Sequence, residues 1–255
     1  LRLGLGALAG AGVGVVAAHT DVSAPVHFLV VGAVLTVGTL GASPWLMDAE
    51  RTAGDDVPVF AVPPRPVVLI ALIGFAGIFV EAAATDWAAV YLVDVAHASP
   101  AIGAAAYGGF AATMTLARFV GDQLVNRFGP VRTVRVGGVA ATAGAILIAA
   151  ARSPVPALAG FVLLGVGVSV AVPLAFAAAG KAGPRPAQQI AGVATIVYGA
   201  GMAAPAAIGG VAQAASLSVS FLLVSLLAAF IAVGAGALRV VSSESAEQPL
   251  EARPR

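Results

Sequence analysis

Two acids stand inside an apolar run. Glu81 and Asp86 lie in IFVEAAATDWAAVYLV, residues Ile78 to Val93, within a segment that turns apolar at Val67. If the segment is one helix across a bilayer, Glu81 sits about 14 residues in, near the midplane, where an ionised side chain costs a few kcal/mol unless it faces protein or water. A carboxyl group at that depth can bind a cationic or polar group or carry a proton. Five residues on, Asp86 is turned about 140° and lies roughly 7.5 Å further along, so the two acids do not share a face and cannot act as a catalytic carboxylate pair. Thr85 does share the face of Glu81 and is placed to hydrogen-bond to it or to a ligand. Asp86, with Trp87 and Tyr91, falls near the outer end of the segment, where aromatic anchors are expected.

The elements that position these groups follow from composition. Of 255 residues, 60% are hydrophobic and 10% charged, and the mean hydropathy is +0.99. The apolar residues come in blocks, which is the pattern of an all-α, polytopic transmembrane bundle. About eight spans are expected: Leu3–Ala18, Val26–Leu46, Val67–Val93, Ala101–Phe119, Thr133–Ala151, Pro156–Ala179, Gln189–Ala212 and Leu217–Val240. The third is long enough to include an interfacial turn. Abundant Gly and Ala suit helices that pack closely in lipid. With no cysteine, neither a disulfide framework nor a thiolate metal site is available. His19, His27 and His97 are too separated to suggest a metal site, and no Gly-rich phosphate loop is present. No cofactor and no nucleic-acid partner are expected.

Between the second and third spans, Met47–Pro66 holds Asp48, Glu50, Arg51, Asp55, Asp56 and four prolines, and reads as a hydrophilic linker. If the spans alternate in direction, Arg152 alone of the 13 basic residues falls on one side. That asymmetry puts the linker and both chain ends in the cytoplasm. The chain opens at Leu1 with one Arg before an apolar run, so the front of the protein is expected to be missing. The expected domains are 1–46, the last two helices of an N-terminal half; 47–66, the central cytoplasmic linker; 67–240, a six-helix C-terminal half; and 241–255, a cytoplasmic tail.

The stretch RFVGDQLVNRFGPVRTVR, Arg118 to Arg135, is read as the loop between the fourth and fifth spans. Gly129 suits its tight turn and Pro130 can start the next helix. Here the chain resembles the major facilitator superfamily, whose corresponding cytoplasmic loops carry a Gly, Asp, Arg, Gly, Arg/Lys pattern. Arg127, Gly129 and Arg132 match its Arg-x-Gly-x-x-basic part, and Leu124 matches an apolar position. Asp122, preceded by Gly121, stands where the family has Gly, and Asn126 stands where it has Asp. Asp122 is the remaining acid that could supply that charge.

That resemblance implies helices five to twelve of a twelve-helix transporter in the cell membrane, of a bacterial subgroup. Pro173, in GVGVSVAVP, and Pro205, in YGAGMAAPAAIGG, are then the helix-bending prolines of the tenth and eleventh helices, or else ordinary prolines of the kind transmembrane helices tolerate. The arginines of the loop gate by forming contacts in one conformation and losing them in another, or else serve only as positive-inside anchors. Glu81 lines the central cavity and binds substrate or carries a coupling proton, or else is a protonated acid held by a neighbouring helix. Thr85 and Asp86 are further candidates for substrate contact, and Tyr107, Thr113, Ser169, Thr195 and Tyr198, which fall within spans, either contact substrate or hydrogen-bond between helices. The function implied is secondary transport of a small solute by alternating access, as a permease or efflux carrier, with protons and the bilayer as partners and no enzyme activity. The alternatives are a membrane receptor or assembly protein that keeps the fold without transporting, and an intramembrane enzyme, which would need the clustered acids or histidines absent here.

Overall fold

The computed structural model describes Val13, residues 23–42 and residues 63–239. The first expected span, apart from Val13, most of the linker and the C-terminal tail lie outside the described residues. Two compact units divide the chain, residues 1–56 and 57–255. In the first, α1 spans Ala24–Ala42. It is apolar along its length, and Thr36 and Thr39 satisfy their hydroxyls by donating to the carbonyls of Gly32 and Leu35, one turn back.

The second unit is a helical bundle: α2 (Arg65–Asp94), α3 (Pro100–Phe128), α4 (Pro130–Ala150), α5 (Pro154–Val168), α6 (Ala171–Lys181), α7 (Pro186–Ala214), α8 (Leu217–Gly234) and a short 3-10 turn, Ala235–Arg239. Every regular element among the described residues is a helix. Five of these helices carry proline at their first or second position, where the missing N–H would have had no helical partner anyway. Short connections make successive rods antiparallel. One end of the bundle therefore gathers Arg65, Arg127, Arg132, Lys181, Arg185 and Arg239, and the other carries Arg152.

Six described stretches are long and apolar enough to cross a membrane: Pro25–Ala42, Val67–Asp94, Pro130–Ala150, Pro154–Lys181, Pro186–Ala214 and Leu217–Arg239. The α3 rod stands outside that set because Gly, Thr and Tyr dilute even its charge-free stretch before Arg118, yet it is 29 residues long and packs along α2 and α5. The third expected span has no interfacial turn. It is one 30-residue helix, about 45 Å long and so able to overrun the hydrocarbon core at both ends. By contrast, the sixth expected span is two helices, broken at Ser169–Val170.

Small residues bring the rods together. A Cβ at Gly138 would lie 2.6 Å from the Ala232 backbone nitrogen of α8, and one at Gly144 would lie 2.7 Å from the Gly160 carbonyl of α5. Thus α4 is sandwiched between α5 and α8 at backbone contact. Large apolar side chains turn outward instead, among them Val136, Val155, Leu226 and Val233. A bundle with Ala-rich contacts inside and Val and Leu outside is suited to lipid rather than water.

Tyr91 departs from its expected place. It is fully buried, not an interfacial anchor, because its ring packs edge-on against Phe161 and Phe221, with centroids 6.3 and 5.2 Å away. Its hydroxyl donates to the Ile148 carbonyl, and it lies 3.2 Å from the Ala151 carbonyl and 3.1 Å from Ser218 Oγ. Arg152 reaches the same Ser218 hydroxyl at 3.0 Å and so ties the end of α4 to α8.

Candidate functional site

The mid-depth carboxylate has a partner. Arg118 Nη2 lies 3.2 Å from Glu81 Oε2, an ion pair between α2 and α3 with the two side chains 36% and 24% exposed respectively. The same guanidinium donates from Nε to the Ser169 backbone carbonyl at 3.0 Å. One planar cation therefore joins three rods: α2 through a carboxylate, α3 through its own backbone, and the α5–α6 break through a carbonyl.

That carbonyl is free for a reason written in the sequence. In a continuous helix the N–H of residue 173 would donate to the carbonyl of residue 169, but residue 173 is proline and has no N–H. Helical bonding resumes one residue on, with Leu174 N to Val170 O at 3.1 Å. Arg118 supplies the donor that Pro173 withholds. Replacing Pro173 with Ala should restore that N–H, so that the amide of residue 173 becomes protected and the helix closes over the break. Hydrogen exchange of the peptide Gly165–Ala178 should then slow; unchanged exchange would mean that packing, not proline, sets the break.

Glycines let the neighbouring rods come this close. A Cβ at Gly77, one turn before Glu81, would lie 2.9 Å from Val172 Cγ2, and one at Gly121, one turn after Arg118, would lie 2.9 Å from Val170 Cγ1. A turn earlier on α5, a Cβ at Gly165 would lie 2.6 Å from both the Phe110 carbonyl and Thr113 Oγ1. The junction is thus assembled by missing side chains on all three rods, with the charged pair at its edge.

The stretch read as a loop is mostly helix. Arg118, Gly121, Asp122, Asn126 and Arg127 all lie on α3, which runs on to Phe128, and Arg132 lies in the first turn of α4. Only Gly129 is non-helical, at φ 80° and ψ 159°, a conformation essentially reserved for glycine. Its carbonyl accepts from the Thr133 hydroxyl at 2.8 Å. The polar residues after Phe119 lower hydropathy without ending the helix, which is why the span outruns its sequence boundary.

The structure does not bring the other expected contacts to the pair. Thr85 donates to the Glu81 backbone carbonyl at 2.8 Å, not to the carboxylate, and Asp86 is exposed on another face of α2. Tyr107 on α3 and Tyr198 on α7 are 40% and 68% exposed. Asp122, Asn126, Arg127 and Arg132 are exposed, with the Arg127 guanidinium 5.4 Å from the Phe128 ring centroid. Pro205 is accommodated inside a continuous α7, whereas Pro173 sits at the break. Ser169 was missed as a partner because sequence reading weighs side chains, and here the acceptor is backbone. The signal that could have found it is the proline four residues later.

A family model described as Major Facilitator Superfamily matches residues 3–206. An uncharacterized transporter of Sinorhizobium fredii is 37% identical over 239 residues, which is 92% of this chain and 63% of that protein. An uncharacterized MFS-type transporter of Yersinia pestis is 38% identical over 184 residues, 72% of this chain and 48% of its own. The chain thus spans about half to two-thirds of the curated relatives it matches. Among solved structures, the E. coli fucose:proton symporter superposes with a TM-score of 0.62 at 20% identity, covering 68% of this chain and 42% of that one. At that identity the likeness is one of fold.

Proposed function

The chain belongs to the major facilitator superfamily, and from that premise we propose that it moves a small solute across the cell membrane by alternating access coupled to a proton gradient. The observation that carries this reading is the Glu81–Arg118 pair, whose guanidinium also holds the Ser169 carbonyl at the helix break. With Glu81 ionised, the pair clamps α2 and α3 to the α5–α6 break. A proton on Glu81 removes the charge that holds Arg118, and the rods are then free to shift about the break at Ser169–Val170. Proton movement and helix movement become one event. Thr85, Asp86, Tyr107 and Tyr198, all exposed in this unit, are the side chains assigned to the solute. The end of the bundle rich in arginine faces the cytoplasm, which also puts the residue 47–66 linker and the C-terminus there, with residues 67–240 forming the six-helix half.

The test uses full-length protein in proteoliposomes loaded with a pH-sensitive dye and exposed to a panel of sugars, amino acids and cationic amphiphiles. A solute that evokes proton movement identifies the substrate class. Replacing Glu81 with Gln should cut that proton movement at least about tenfold, a barrier change near 1.4 kcal/mol. Solute exchange between the two faces, which needs no net proton transfer, should persist. Undiminished proton movement in the Gln variant would remove Glu81 from the coupling step.

A further inference from the structure

On the side of α3 away from Asp122 and Asn126, a groove of about 510 Å³ opens between α3 and α4. Leu124 and Phe128 form one wall, Val136 and Ala140 the other, and Val166 and Val170 of the α5–α6 region the floor. It extends from Ala117, near mid-depth, to Phe128 beside the Gly129 turn, roughly 17 Å along α3. Leu124, Phe128 and Val136 are 40%, 47% and 70% exposed, so the groove is open on its outer side.

Its two ends differ in charge. Arg132 and Arg135 line it in the first two turns of α4, at the basic end of the bundle, and no acid among the described residues lines it. Both arginines are exposed, and neither takes part in an ion pair among the described residues. Arg127 flanks the same end on α3, its guanidinium against the Phe128 ring. Asp122, the acid nearest in sequence, lies on the opposite face of α3 from Leu124 and Phe128, by helix geometry.

From this we infer that the groove is a binding site for one anionic phospholipid of the surrounding leaflet. An acyl chain lies along the apolar walls toward Ala117, and the headgroup phosphate is held by Arg132 and Arg135. The chemistry is complementary at both ends. Planar guanidinium groups suit phosphate oxygens, and the apolar slot has the direction and depth of a lipid tail. A neutral phospholipid fits the slot equally well but gives the arginines no net negative charge, so selectivity resides in the headgroup. The groove's floor includes Ser169 and Val170, which places the tail against the helix break.

The experiment is lipid titration of the purified full-length protein, followed by native mass spectrometry, with phosphatidylglycerol and phosphatidylcholine as probes. Wild-type protein should retain phosphatidylglycerol in preference to phosphatidylcholine. Arg132→Gln with Arg135→Gln should weaken phosphatidylglycerol about thirtyfold and leave the two lipids equal. Arg65→Gln with Arg185→Gln removes as much charge from the same end but away from the groove, and should leave the preference intact. Ala140→Trp, which fills the slot, should lower retention of both lipids, and it decides the matter if the double arginine variant does not fold. Equal retention of the two lipids by the wild type would overturn the site. So would equal losses in the two double-arginine variants, or undiminished retention in Ala140→Trp.

Discussion

Full-length protein carrying Arg118→Ala is expected to transport its solute about a hundredfold more slowly than wild type. Removing one partner of a fully buried pair costs about 3–5 kcal/mol, because the other charge is stranded. Here the side chains are 36% and 24% exposed, so water screens part of that loss and roughly 2–3 kcal/mol is expected. The variant also strips the Ser169 carbonyl of its donor, which Pro173 cannot replace. Arg118→Lys should fall between the two, since an ammonium can serve the carboxylate or the carbonyl but does not span both as the guanidinium fork does. A double variant, Glu81→Gln with Arg118→Ala, should be no worse than Arg118→Ala alone, because the stranded charge is gone. Initial rates in proteoliposomes at matched protein content measure all three, and a rate for Arg118→Ala within twofold of wild type would end the case for the pair as the clamp.

Much of the bundle could be read from hydropathy. The span expected at Val67–Val93 is α2 at Arg65–Asp94, and that expected at Leu217–Val240 is α8 with its 3-10 turn, because a bilayer-length apolar run has few other ways to satisfy its backbone. Gly129 and Pro130 were readable as a turn and a helix start because each residue restricts its own backbone. Tertiary pairing was not readable in the same way. Glu81 stood out as an acid at depth, but Arg118 seemed a loop residue, since Asp122, Gln123, Asn126 and Arg127 dilute the apolar signal while leaving α3 helical. Tyr91 looked like an interfacial aromatic by position along its helix, and its burial depends on Phe161 and Phe221 arriving from two distant rods. The break at Ser169 lay between these cases. Pro173 announced a weakened helix, but not which group would claim the carbonyl it left unbonded.

The junction stands on a crossing that tolerates almost no added volume, and Gly167→Ala is expected to destabilise the fold by about 3 kcal/mol or more. A Cβ there would lie 2.5 Å from the Gly137 carbonyl oxygen and 2.8 Å from the Ala141 Cα, both of them backbone atoms of α4. A flexible side chain could swing away, but a helix backbone cannot. The two rods must separate, and in doing so they lose the contacts around Gly144 and Gly160 further along the same interface. Intrinsic helix propensity acts in the opposite direction, since Ala exceeds Gly by about 0.8–1.0 kcal/mol in a helix interior. Gly210 of α7 isolates that opposing effect: nothing lies within 4 Å of its added Cβ, so Gly210→Ala should be neutral or slightly stabilising. Thermal unfolding and the monodisperse fraction in detergent compare the two. A Gly167→Ala protein that melts with wild type would mean that α4 and α5 have slack, and the break at Ser169, two residues beyond Gly167, would then be free to move without any signal from Glu81.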